Sequence, residues 1–526
     1  MRYAARSWSV LSILIGFAGL FTALLGGLVF ALYGAKFGLI FTVLVGGMFA
    51  LMLPIDWLVL TTWVLATIVA GTVQYLLDGW KYAQWLPFAV AFACTLRLPV
   101  ELLRTSHQKR TESSVAHATS ATLVLLSVFF ATAVFSTLIN EVNLFQAIVA
   151  FKNSGVMWAI ALLIAYGCLR RATIDQMWRS LMWILVTQLP MVLYQFLVVV
   201  ARRSKIRAAA PADAIAGTFG GNPNAGGANS ELVLFALMAA FIAFSYNRAG
   251  RLSGLKTGLI ALLALVVIFL GEVKVVVVLL PVAGAVLYAD RLFRSPKLLL
   301  LWGAMVAIFI GSLLMIYQEL YWSKLQGDHH NIATSIEQSI SYITDPRNID
   351  YSTGEVGRAA SLNLWVTDSR NYIVQQLIGN GANSSRGDSS IAVGDVARRF
   401  APLNIAATGV SQLLWDFGIV GLLAYIGIFL AGIVEATQAL KRAVPDSDDE
   451  IYLRLTRSLL AMCLILIPYN NHLLDQASLQ VLVGLAIGHL VWFRRNQVSL
   501  GYEPVGRSGL IPSAARIDGA LMRSRS

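Results

Sequence analysis

Apolar runs recur almost without pause along this chain, and no other feature constrains its fold as much. Runs at 12–32, 57–77, 117–139, 179–200, 231–246, 298–317 and 476–493 are long enough, or nearly so, to cross a bilayer core of about 30 Å as single helices. Further candidate spans fall at 37–53, 82–98, 155–169, 256–270, 275–290, 404–434 and 456–471. Inside hydrocarbon every backbone polar group has to be satisfied within the protein, so such runs become helices. The expected fold is all-α: a polytopic transmembrane helical bundle of about fourteen helices, one integral membrane domain over 1–526. Composition agrees, because 57% of the 526 residues are hydrophobic and only 13% are charged, where soluble domains carry about 25% charge. Length alone would suggest several soluble domains, but the apolar runs leave no room for them.

The net charge of +12 would suggest nucleic acid in a soluble protein. In a membrane protein the first explanation is Lys and Arg held on the cytoplasmic side, and no nucleic-acid partner is expected. Counting spans puts the basic loops 104–110, 169–179, 247–256, 290–297 and 441–457 on one side, with Met1–Ser9 and a basic tail over 494–526. That side reads as cytoplasm, with both termini inside. The turn "LPID" (53–56) falls there without a cation of its own. The N-terminal apolar stretch lacks an A-x-A site and reads as a retained first helix. Cys94, Cys168 and Cys463 sit in or beside apolar runs with no CxxC spacing, as packing residues do.

Two long segments then fall outside, 201–230 and 318–403. The first holds cations on the wrong side for the charge rule: Arg202, Arg203, Lys205 and Arg207. One reading is contact with lipid headgroups. The other is a site for a lipid-linked phosphate, since the planar guanidinium fork bonds phosphate oxygens in pairs. The stretch that follows, "GTFGGNPNAGGANSE" (217–231), is rich in residues that let the backbone turn and present N–H groups to an anion. It also opens a span near Ser230–Glu231, whose N-terminus carries positive partial charge. An ordinary flexible loop is the plainer alternative.

The segment 256–290 is long for one span and tight for two, with Glu272 and Lys274 at the break. Charges there face a partner or a cavity, so the choice is between a Glu272–Lys274 pair and a polar site lined by a broken helix. The larger outer loop is expected to hold short helices at 332–343 and 357–378. It adds Asp328, His329, His330, Arg347, Arg358, Arg370, Arg386, Asp388, Arg398 and Arg399. "GNGANSSRGD" (379–388) could bring glycine backbone close to a phosphate. The adjacent His329 and His330 have no third ligand at zinc spacing, so no metal and no cofactor is expected. "YNNHLLDQ" (469–476) is a further outer turn, carrying His472 and Asp475.

In "RAAAPADAIAGTFGGNPNAGGANSELVLFAL", "FLGEVKVVVVLLPVAGAVL" and "GRAASLNLWVTDSRNYIVQQLIGNG…SQLLWDFGIVGLLAYIGIF" the chain resembles the O-antigen polymerase/O-antigen ligase superfamily of bacterial GT-C-type membrane glycosyltransferases. The resemblance covers about 200–435 and rests on the order and spacing of these segments. It implies an inner-membrane enzyme whose substrate is an undecaprenyl-diphosphate-linked oligosaccharide at the periplasmic face. An acceptor sugar hydroxyl would attack the anomeric carbon and lipid diphosphate would leave, without metal. The family's loop arginine corresponds best to Arg207, with Arg202 or Arg203 as alternatives, and its second arginine to Arg358. Lys274 stands where an arginine is usual, keeping charge without the fork. Asn222 and Asn224, with Arg386 and His472, join the expected diphosphate- and glycan-binding set.

One departure matters. Ligase members carry a His-Asn pair upstream of the glycine of the return helix, where this chain has Ala407 and Thr408. That tilts the resemblance toward a repeat-unit polymerase of exopolysaccharide, capsule or O-antigen. Glu272, Glu231, His472 and Asp416 are candidate bases in that order. An O-antigen or glycan ligase is one alternative, and a lipid-linked oligosaccharide flippase or transporter is one of another class. The chain shows no internal repeat of the kind transporters carry. Membrane lipid, a chain-length regulator and export proteins are the further partners the resemblance implies.

Overall fold

The computed structural model describes residues 51–77, 81–110, 119–205, 211–221, 223, 226–320, 337, 340–387 and 392–499. Among them nine helices are long and apolar enough to cross a membrane, ten if a bent pair counts as one span. The protein is an all-α, multi-pass helical membrane protein. In chain order the elements are α1 (Ile55–Leu76), α2 (Trp85–Arg110), α3 (Ala121–Ile139), the bent pair α4 (Leu144–Ser154) and α5 (Trp158–Ala165), and α6 (Arg171–Arg203). Then come α7 (Asn229–Arg248), α8 (Gly254–Leu270), α9 (Val276–Leu287) and α10 (Pro296–Leu320). A loop layer follows, with strands β1 (Ile349–Asp350) and β2 (Glu355–Val356) and helices α11 (Arg358–Thr367), α12 (Ile373–Ile378) and α13 (Asp395–Phe400). The chain then returns through α14 (Gly409–Leu440), α15 (Asp448–Tyr469), the single turn α16 (His472–Asp475) and α17 (Ala477–Ser499).

Twelve of the expected spans correspond to helices here, while 12–32 and all but the last three residues of 37–53 lie outside the described residues. Two expectations need correction. The span at 155–169 is only the second limb of the α4–α5 pair, bent by 50°. The helix at 357–378 is broken in two, because Asp368 accepts from the backbone N–H of Arg370 (3.2 Å) and closes a turn before α12. Of the helix expected over 332–343, only 337 and 340–343 are described, and those are helical.

The bundle has two unlike ends. At one, arginines from several elements meet acids around the α14–α15 turn: Arg171 with Asp449 (2.6 Å), Arg248 with Glu450 (3.4 Å), Arg454 with Asp290 (2.8 Å) and Glu450 (2.8 Å). Asp448, Asp449 and Glu450 occupy the first turn of α15, where a helix N-terminus favours negative charge. The "LPID" turn also lies at this end, and its cations come from elsewhere in the chain. Asp56 accepts from the Arg170 backbone (2.9 Å) and side chain (3.0 Å), and Arg97 donates to Leu53 O. The opposite end carries the loop layer.

α7 and α17 are the innermost spans. α17 packs on α5 through Gly484 and Gly488, four residues apart, where a Cβ at Gly488 would fall 2.7 Å from Ala161 O. Small residues at this spacing allow close helix approach in lipid. A second core of Val356, Ala360, Val396, Leu403, Ile405 and Trp415 wraps the first turns of α14, seating the loop layer on the bundle.

Candidate functional site

The residues that converge at the loop end come from five separate parts of the chain. Glu231 lies in the first turn of α7 and is fully buried. An isolated carboxylate could not remain charged there, but His472 Nδ1 lies 2.9 Å from its Oε1. Ser230 Oγ is 3.1 Å from the same nitrogen, and Asn470 Nδ2 donates to Ser230 Oγ (2.8 Å). Burial by itself would lower the His472 pKa. The Glu231 carboxylate, by charge and by hydrogen bond, and then Asp475 outweigh that and hold it above its ordinary value, with Arg386 opposing them. Arg386 in turn pairs with Asp475. With Nδ1–H directed at Glu231, the lone pair of the neutral ring lies on Nε2, where a base would accept a proton. Ser230 and Glu231 reach the same ring nitrogen, whereas a serine hydrolase places its nucleophile and its acid on opposite nitrogens.

One turn earlier, Tyr469 closes α15 and carries the Arg358 guanidinium 3.9 Å from its ring centroid. The same guanidinium lies 5.5 Å from the ring of Tyr342. Such stacking holds a cation over an aromatic face. Glu355 and Asp213 lie within electrostatic reach of Tyr342, and Asp213 also feels Lys274 and Arg203. Lys274 and Arg203 thus act on Asp213, and Arg358 on Tyr342 and Tyr469. Arg203 is buried, while Arg202 and Lys274 are exposed. Glu272 sits half-buried in the α8–α9 break at φ 46°, a left-handed conformation uncommon outside glycine. Arg207, Asn222 and Asn224 lie outside the described residues, as do Asp328, His329, His330 and Asp388.

Three expectations are corrected. The opening of "GTFGGNPNAGGANSE" is not a free wall for an anion. Residues 214–220 are buried against α1 and α6, and the backbone donors of Ala216, Gly217, Thr218 and Phe219 are spent within the protein. Gln195 Oε1 accepts from Ala216 N (3.0 Å) and Gly217 N (2.8 Å), and Gln188 Oε1 accepts from Thr218 N (2.7 Å). Gln195 opens a π-helical turn over Gln195–Val200, and Gly71 lets the loop pass where a Cβ would collide with Thr218. The glycine run from 379 does not cradle a phosphate either. Asn380 N donates to Trp415 O (2.8 Å) and Gly381 N to Asp416 O (3.1 Å). Asp416 is not available as a base, because its buried carboxylate accepts from Ser384 Oγ (2.9 Å), Ser385 N (2.9 Å) and Asn383 N (3.2 Å).

Tyr342 and Tyr469 went unnoticed in the sequence, as did Gln188 and Gln195. A glutamine within the apolar run "TQLPMVLYQFLVVV" is the one signal that could have exposed the buried loop, since polar side chains inside spans need partners. Asn471 Nδ2 donates to Ala406 O (3.0 Å) and Gly409 N donates to Asn470 O (2.9 Å), which sets His472 beside the start of α14. No family model matches the chain, and no curated protein matches its sequence.

Proposed function

We propose that the protein is a glycosyltransferase that polymerises undecaprenyl-diphosphate-linked repeat units at the periplasmic face of the bacterial inner membrane, the loop end being that face. The observation that carries this reading is the Arg358 guanidinium stacked on Tyr469 (3.9 Å), three residues ahead of the His472 that pairs with buried Glu231 (2.9 Å). In the proposed step a hydroxyl of the acceptor glycan attacks the anomeric carbon of the lipid-linked sugar. The new C–O bond forms as the bond from that carbon to the phosphate oxygen breaks. His472 takes the hydroxyl proton on Nε2, with Glu231 stabilising the imidazolium, and lipid diphosphate departs with its electron pair. Preplaced cations stabilise that charge as it develops, commonly the largest catalytic contribution. Arg386, given a glycan-binding role from sequence, acts instead through Asp475.

Ligation of a finished glycan is the second reading. It is favoured by the position of Asn470, Asn471 and His472 beside Ala406 and Gly409. Deleting the gene and analysing the lipid-linked glycans tests both. A single repeat unit left on lipid is the expected result. Long polymer lacking its final acceptor marks a ligase, and repeat units retained on the cytoplasmic leaflet would overturn the transferase reading.

A further inference from the structure

α12 is built inside out for a segment of an aqueous loop. Three of its four apolar side chains face outward: Ile373 is 72% exposed, Val374 46% and Leu377 46%, with Tyr372 just ahead of the helix at 68%, while Ile378 is half-buried. The polar Gln375 and Gln376 turn inward and are half-buried, and Gln376 Nε2 donates to Asn371 O (2.9 Å). A helix bathed in water would reverse that arrangement. Apolar side chains out and polar side chains in is the arrangement of a surface in contact with lipid.

The place of α12 in the fold supplies the covering medium. Its C-terminal end meets α14 at Gly418, where a Cβ would collide with Leu377. Gly418 is also where α14 leaves the loop layer. The residues before it, from Ser411 to Phe417, are buried, while Ile419, Val420 and Leu423 immediately after it are exposed as lipid-facing side chains of a span. On the other flank, Gly379 O accepts from Asn140 Nδ2 (3.1 Å) at the end of α3, whose Leu138 and Ile139 are exposed as well. The apolar face of α12 thus continues the lipid-facing surface of two spans. Its polar flank is ordered as a membrane boundary requires, with exposed Arg370 first, Tyr372 next and the aliphatic residues beyond.

We propose that α12 is an interfacial helix immersed in the bilayer at the collar of α14, so that the loop layer binds the lipid surface through Tyr372, Ile373, Val374 and Leu377. The Asp416 lock on residues 383–385 fixes the loop just beyond it, and with it the height of the loop layer above the membrane. This holds whatever reaction the site performs.

The test uses the full-length protein with Cys94, Cys168 and Cys463 replaced by Ala, reconstituted in phosphatidylcholine–phosphatidylglycerol vesicles. Single variants Arg370→Cys, Ile373→Cys and Leu377→Cys carry a nitroxide label, and collisions with oxygen and with a water-soluble nickel chelate are compared. At 373 and 377 oxygen should dominate, and at 370 the nickel chelate should. Nickel access at 373 and 377 equal to that at 370 would place α12 in water and overturn the proposal. Shielding from both reagents at 373 and 377 would mean that protein covers the face, and would overturn it equally. All three side chains are exposed, so the substitutions leave the core intact.

Discussion

At the scale of single residues, Arg358 and His472 carry the sharpest expectations. Arg358 stands on Tyr469. If it bears diphosphate charge, Arg358→Ala should lower turnover by about a hundredfold or more, while the protein still inserts and keeps its melting temperature. Arg358→Lys should recover only part of the rate, because the ammonium lacks the fork and the stacking plane. Rates measured with lipid-linked substrate check both, and wild-type polymer length from Arg358→Ala would sink the clamp. His472 predicts a pH dependence. Its imidazolium is held by Glu231, so the neutral base appears only above the raised pKa. Activity should therefore climb with pH through a value above that of an ordinary histidine. Glu231→Gln removes the charge that raises the pKa and should move the ascending limb to lower pH. Linkage has the opposite sense: the pair adds stability below the unfolded histidine pKa, and that stability is lost as pH rises through the folded one. The sequence offered His472 and Glu231 as separate candidates. Their pairing was invisible, because they are 241 positions apart along the chain.

At the scale of elements, the loop layer is held by a few backbone-directed locks rather than by a large core of its own. Asp416 is the clearest of these, with three donors from residues 383–385 converging on one buried carboxylate. Asp416→Ala would leave those donors buried and unpaired, at about 1–3 kcal/mol for each. It should lower the melting temperature in detergent and open residues 379–385 to proteolysis. An unchanged melting temperature would show that the lock contributes nothing. Both glycine-rich stretches were legible as turns, yet their role was misread from sequence. Glycine signals only that backbone comes close to something. In both cases the neighbour is another segment of the protein: α1 for residues 217–220 and α14 for residues 379–381. The break between α8 and α9 was legible as well, since Glu272 and Lys274 interrupt an otherwise apolar run.

At the scale of the whole molecule, the two ends of the bundle differ in kind, and that difference predicts orientation. The end with the arginine–acid network should face the cytoplasm. In a cysteine-free background, Val444→Cys at that end should react with a membrane-impermeant maleimide only after cells are permeabilised. Ser352→Cys in the loop layer should react in intact cells. The reverse pattern would invert the topology and with it the proposed site. Most described spans could be read from hydropathy, and the grouping of basic turns at one end from charge, because both properties belong to local stretches of chain. The partners of those charges could not. Asp56 takes its cation from Arg170, and Arg171 meets Asp449, contacts that join distant helices.

The sequence by itself determined that this chain is a helical membrane protein, where most of its described spans fall and which turns share an end, because bilayer thickness and positional charge act on contiguous residues. Only the tertiary structure decided which polar groups meet which. Gln188, Gln195 and Asp416 absorb donors of the glycine loops, while Glu231 and His472, and Arg358 and Tyr469, are brought together from distant segments. A hydrogen bond depends on separation in space, and in a bundle of long helices that is set by packing rather than by position along the chain.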